Sequence, residues 1–292
     1  MKKYYRTDLA CESFLPEKSK NGVITNLFSI NGIDVIKTVI ENEFGEKLTK
    51  RKIGTYLTVY SGRAWLFNDY EKQKIAHVVA ENLKSLLSLI EAPPKNILIV
   101  GLGNRFITAD ALGALCIDKL TATRHLKYEN KKSNNPFKYE ISLIAPGVSG
   151  QTGIESYEIV NNIATVVKAN CIIVIDSLAS RSMDRLCTTI QISNTGIYPG
   201  SGIGNIKKEI SKSTTGVDVL SIGIPTVIDS SSLICSALKA MEIKKMPKEL
   251  KELLNNGKGC FVSLKDTDVI IESMSEIISS AISIAFSNNN LQ

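Results

Sequence analysis

The sequence predicts an α/β fold, a twisted and mostly parallel or mixed sheet sandwiched by helices. Three observations carry this. Short apolar runs at residues 97–100, 139–145 and 171–175 alternate with stretches of helical period. The runs are largely continuous rather than alternating, the pattern of strands covered on both faces. A chain of 292 residues, 43% hydrophobic and 22% charged, is long enough to bury such a sheet. No period of 20 to 50 residues repeats, so residues 1–292 read as a single domain.

Each element follows from local pattern. Residues 53–60 read as a strand and 69–90 as a long amphipathic helix that Pro93 and Pro94 stop. Residues 97–100 form a strand ending at Gly101, and a helix follows over 110–120. The tract 127–138 is basic, and within it the Lys- and Asn-rich stretch 130–136 reads as a surface loop. The run 139–145 ends at Pro146-Gly147. Apolar residues Ile154, Ile159, Val160, Ile163, Val166 and Val167 then mark a helix. Residues 171–175 form a third strand, 188–193 alternate like an edge strand, and 217–224 form a strand ended by Pro225. Residues 269–286 carry Glu272 and Glu276 at helical spacing, which makes an amphipathic helix rather than a membrane span.

Composition narrows the function. Thirty-five Lys and Arg against 29 Asp and Glu give +6, with aromatics at 6%, too diffuse for a nucleic-acid stripe. Six cysteines include no C-x-x-C pair, which argues against a disulfide framework or a zinc site. The charged N-terminus lacks an apolar stretch behind it, so a cytoplasmic protein is expected.

In open α/β sheets, sites form beyond the carboxyl ends of the strands. Four small-residue segments fall there, at 101–110, 146–153, 176–181 and 193–205. Phe106 breaks a dinucleotide fingerprint after Gly101 and Gly103, and no P-loop, nucleophile elbow or H-E-x-x-H is present. His77 lies inside a helical pattern and His125 beside Arg124, so imidazole chemistry has little to work with. Carboxylates remain. Asp176 follows the apolar run 171–175, and Asp110 follows the Gly101-Leu102-Gly103-Asn104 turn. Two carboxylates meeting across a cleft can split their pKa values and act as acid and base. Either could equally be a helix N-terminal group satisfying free N–H groups.

Longer motifs then stand out. They include Arg6-Thr7-Asp8-Leu9-Ala10, Val100-Gly101-Leu102-Gly103-Asn104, Thr108-Ala109-Asp110-Ala111-Leu112-Gly113 and Thr123-Arg124-His125-Leu126. Further on come Ala145-Pro146-Gly147-Val148-Ser149-Gly150-Gln151-Thr152-Gly153, Val174-Ile175-Asp176-Ser177-Leu178-Ala179-Ser180-Arg181 and Gly223-Ile224-Pro225-Thr226-Val227-Ile228-Asp229. In these the chain resembles the spore germination proteases, endopeptidases that degrade small acid-soluble spore proteins when endospores germinate. The resemblance implies a fold similar to hydrogenase-maturation endopeptidases, a zymogen, a homotetramer in the spore cytoplasm, and no cofactor, nucleic acid or membrane. It implies Asp110 and Asp176 as catalytic aspartates and cleavage after glutamate, with Arg124 and Arg181 proposed to receive that glutamate. Residues 1–5 would be a vestigial propeptide. Ala109 replaces the family's proline, and Asn194 and Tyr198 stand where Asp and His are more frequent. Two alternatives keep the fold: a maturation-type peptidase whose carboxylates contact a metal, or an inactive substrate-binding sporulation protein.

Overall fold

The computed structural model describes residues 7–13, 22–126, 138–200, 207–243, 246–256 and 260–287. Residues 1–5, the loop 130–136, nearly all of the basic tract and residues 201–206 of the last glycine-rich segment lie outside these.

Asn31 and Gly32 take φ of 52° and 76°, left-handed values at both central residues that suit a two-residue hairpin turn. That turn folds β1 (Val23–Ile30) onto β2 (Ile33–Ile40), with Ile30 opposite Ile33. Helix α1 (Glu43–Thr49) starts at Asn42, whose Oδ1 accepts from the N–H groups of Phe44 and Gly45. After β3 (Gly54–Tyr60), α2 (Asp69–Leu87) opens with a capping box between Asn68 and Glu71. It ends at Leu87, a few residues before the expected 90.

The alternating half follows. It runs β4 (Asn96–Gly101), α3 (Leu112–Lys119), β5 (Glu140–Ile144), α4 (Ser149–Thr152), α5 (Ser156–Val167) and β6 (Cys171–Ser180). Then come β7 (Thr189–Ser193), α6 (Lys212–Thr215), β8 (Asp218–Asp229), α7 (Ser230–Ala240), α8 (Lys248–Asn256), β9 (Phe261–Val262) and α9 (Thr267–Phe286). Among the described residues the sheet has nine strands in the order β1-β2-β3-β7-β8-β6-β4-β5, with β9 paired to β8. Strands β5, β4, β6 and β8 are parallel, whereas β7, β3, β2 and β1 join antiparallel.

Two elements differ from expectation. Strand β7 is central, between β3 and β8, with every residue buried; its alternation reflects two differently filled faces, not an open edge. Strand β8 runs through Pro225 to Asp229. The proline is tolerated because it lies opposite Leu178, where the β6–β8 register shifts, and its carbonyl accepts from Cys187 N–H at 2.7 Å.

Alternation sorts the strand residues onto two faces. Ile97, Ile99, Ile173, Ile175, Leu220, Ile222, Ile190 and Ile192 pack with α2, α3 and α9. Leu98, Val100, Ile172, Val174 and Val219 pack with Val160 and Ala164 of α5. Helix α9 is long and apolar enough to cross a membrane by length and composition. Here it packs against α2 and α3, and Ser279 Oγ donates to Cys116 O at 3.1 Å.

Candidate active site

On the α5 face the sheet changes from apolar to polar. Going up β6, Val174 is followed by Asp176; going up β8, Val219 is followed by Ser221 and Gly223. Asp176 and Gln191 both pair with Gly223, and Ser193 pairs with Ser221, so these form cross-strand rows on one face. Ser193 Oγ and Ser221 Oγ are 2.8 Å apart. Gly223 places no side chain between Asp176 and Gln191. Helix α5 covers the parallel half, and residues 7–13 cover part of the antiparallel half. Between them opens a cavity of about 720 Å³ whose walls include Asp8, Asp110, Asp176, Gln191, Ser221 and Gly223. It lies over the face where parallel pairing turns antiparallel, not wholly beyond the strand ends.

Asp176 is a strand residue and 6% exposed. Its neighbour β4 ends at Gly101, paired with Ile175, so Asp176 stands one step beyond the end of β4. Its Oδ1 accepts from Ser177 N–H at 2.9 Å. Asp110 closes the 3-10 turn Thr108–Asp110, and its Oδ2 accepts from Asn104 N–H at 2.7 Å. The glycines make this turn possible. Gly103 has φ of 98°, and a Cβ on it would come within 2.0 Å of Asp110 O. A Cβ on Gly113 would meet Leu102 O at 2.3 Å. Ala109, where the family more often has proline, offers its carbonyl to Thr226 Oγ1 at 2.6 Å, a bond that pins the turn to β8.

Electrostatics separates the two carboxylates. Burial pushes Asp176 well above the usual carboxylate range, and the negative charge of Asp110 pushes it further. Burial also raises Asp110, opposed by the Asn104 hydrogen bond and by the Lys207 ammonium. Lys207 acts on Asp176 in the same lowering sense. Both carboxylates are raised and Asp176 the more strongly, so a proton shared by the pair would settle first on Asp176.

Of the residues singled out in the sequence, Asp110 and Asp176 come together. Arg124 and Arg181 are not among the cavity-lining residues. Arg181 N–H donates to Glu12 Oε2 at 2.7 Å and its guanidinium donates to Glu12 O, so it fastens the N-terminal segment. Arg124 N–H donates to Ile141 O at 3.1 Å, at the start of β5. His77 and His125 are exposed and outside the cavity. Asn194 Oδ1 accepts from Thr55 N–H at 2.8 Å, a structural use, whereas Tyr198 lines the cavity. Among the described residues, no group of three His, Cys, Asp or Glu is gathered as a metal site.

Several lining residues stand outside the site candidates named from the sequence, although Asp8 lies in the Arg6-Thr7-Asp8-Leu9-Ala10 motif. Gln191 Nε2 donates to Asp8 O at 2.9 Å and Gln191 Oε1 accepts from Ala10 N–H at 2.7 Å. Asp8 N–H donates to Ala179 O at 2.7 Å, so the N-terminal segment runs along β6 at the cavity. Lys50, Arg51 and Lys52 line the wall as well. The Arg6-Thr7-Asp8-Leu9-Ala10 motif, an alternating strand and a basic tripeptide are the available signals, and none says what it faces.

The family model described as germination protease matches residues 10–258. The germination protease of Clostridium acetobutylicum is 36% identical over 308 residues, covering 96% of this chain and 94% of its own. That of Clostridium tetani is 36% identical over 307 residues, with the same coverage. That of a Geobacillus strain is 38% identical over 260 residues, covering 85% of this chain and 69% of its own. Among solved structures, the [NiFe] hydrogenase maturation protease HycI of Thermococcus kodakarensis is 17% identical. It aligns with a TM-score of 0.36 over 69% of this chain and 99% of its own. With a family match from residue 10 to 258 and full-length relatives above 30% identity, this chain belongs to the germination protease family of peptidases.

Proposed function

We propose that the chain is an endopeptidase of small acid-soluble spore proteins, cutting after glutamate, in which Asp110 and Asp176 activate water. One observation carries the aspartate assignment: a buried carboxylate, Asp176, and a half-buried one, Asp110, come from distant segments to line one cavity, and the charge of Asp110 raises Asp176. The substrate and the glutamate preference come from the family resemblance.

The chemistry follows from the unequal proton affinities. Asp110, with the lower affinity, is the ionised partner and takes a proton from water as the oxygen attacks the scissile carbonyl carbon. Asp176 gives its proton to the carbonyl oxygen, so the tetrahedral intermediate leaves as a neutral gem-diol rather than an oxyanion. Asp110 then passes its proton to the leaving nitrogen while the C–N bond breaks. The hydroxyl proton returns to Asp176 as the new carboxyl product forms, and the pair is restored.

The test is cleavage of a purified small acid-soluble spore protein by wild type, Asp110→Asn and Asp176→Asn, each shown to be folded. Both variants should lose activity by about three orders of magnitude or more, and wild type should tolerate excess chelator. Cleavage that survives either substitution would return that carboxylate to a structural role. Loss on chelation, restored by a divalent cation, would favour the metal-contacting alternative.

A further inference from the structure

The cavity holds cations that the acid pair does not use. Its wall includes three consecutive ones, Lys50, Arg51 and Lys52, on the connection from α1 to β3. Two are engaged within the fold. The Arg51 guanidinium donates to Thr7 O. Lys52 Nζ lies 3.9 Å from carboxylate oxygens of both Glu46 and Glu209. Lys50 makes no ion pair among the described residues.

Its backbone is also unusual. Lys50 is the C-cap of α1 with φ of 58° and ψ of 32°, left-handed values, and its N–H donates to Glu46 O at 2.7 Å. Glycine is the residue that meets this conformation without cost. A lysine kept there carries backbone strain, and among the described residues its side chain makes no ion pair that would offset it. The connection is well held. Thr49 Oγ1 donates to Gly45 O at 2.7 Å and accepts from Arg51 N–H at 3.2 Å, so the lysine starts from a fixed point.

Charge completes the case. The cavity also presents the carboxylates of Asp8, Glu46 and Asp110, so an acidic peptide side chain entering it meets repulsion unless a cation answers it. We infer that Lys50 is the specificity residue that receives the acidic side chain of the bound peptide, with Arg51 beside it. This rests on the peptidase reading of the cavity. It places recognition on the α1–β3 connection rather than on Arg124 or Arg181.

The experiment compares two short peptides differing only by Glu or Gln before the scissile bond. They are assayed with wild type, Lys50→Gly, Lys50→Gln, Lys50→Arg and Arg51→Gln. In Lys50→Gly and Lys50→Gln the Glu-over-Gln preference in kcat/KM should fall by about tenfold, chiefly through KM, while Lys50→Arg retains most of it. Lys50→Gly should melt at or above the wild-type temperature, because glycine relieves the left-handed backbone; a merely structural lysine would not separate stability from preference in this way. An unchanged preference in both neutral variants, or a preference lost only in Arg51→Gln, would overturn the assignment. If wild type cleaves neither peptide, the peptidase reading itself fails, which is a different result from cleavage without preference.

Discussion

Asp176 shows how one substitution of polarity within a strand makes a site. Its neighbours on the same face of β6, Ile172 and Val174, are fully buried core, and Asp176 continues their row into the cavity at 6% exposure. Its raised proton affinity comes first from burial and second from Asp110. A native pKa above the unfolded value, about 3.9, means the folded state binds more protons than the unfolded chain at neutral pH. Stability is then greatest below the unfolded value and falls as pH rises through the native one. Asp176→Asn removes that loss, so the inactive variant should melt a few degrees above wild type at pH 7, and the gap should close in acid. A lower melting temperature at pH 7 would contradict the burial cost. Turnover should follow a bell in pH. The acid limb, set by Asp110, should lie above the ordinary carboxylate range because burial raises that group; the alkaline limb belongs to Asp176.

At the scale of elements, the glycine turn after β4 converts strand pairing into the position of a carboxylate. Gly101, Gly103 and Gly113 let the β4 end and the start of α3 touch backbone to backbone, with Asp110 between. Gly103→Ala would need its Cβ 2.0 Å from Asp110 O at φ of 98°, so the turn must move. Turnover should fall roughly a hundredfold or more from misplacement of Asp110 alone, with the far-UV spectrum close to wild type; an active, correctly folded Gly103→Ala would show that the turn does not set the carboxylate. Much at this scale was legible. Continuous apolar runs located β4, β5 and β6, and the Gly101-x-Gly103-Asn104 turn marked Asp110. The β1–β2 hairpin stands outside the elements expected from the sequence, although Asn31-Gly32 between β-branched runs signals one. The central place of β7 was not legible either, because alternation reports unlike faces whether the strand is at an edge or inside. Nor can a motif tell where a long side chain points: Arg181 sits in one of the longest motifs and turns to Glu12, while Lys50 sits in none and lines the wall.

Over the whole molecule, one sheet face builds stability and the other builds the site, so damage to each should be separable. The face under α2, α3 and α9 is packed with apolar side chains, with Ile278 of α9 fully buried in it. The opposite face trades the same positions for Asp176, Gln191, Ser193, Ser221 and Gly223, and so leaves room for a ligand. Helix α9 also packs against the turn Thr108–Asp110, which makes the stable face the support behind Asp110. Truncating a buried isoleucine removes its transfer free energy and leaves a cavity, together about 2–5 kcal/mol. Ile278→Ala should therefore lower the unfolding free energy by that amount in denaturant titration, with the slope against denaturant unchanged. At a temperature where the variant is fully folded, its kcat should stay within about threefold of wild type, because dense packing around a single lost side chain leaves the Asp110 turn in place. Gly103→Ala should show a different division, a large loss of kcat even at a temperature where the variant is fully folded. If Ile278→Ala instead lost turnover while remaining folded, α9 would be setting the geometry of Asp110 directly, and the two faces would form one mechanical unit.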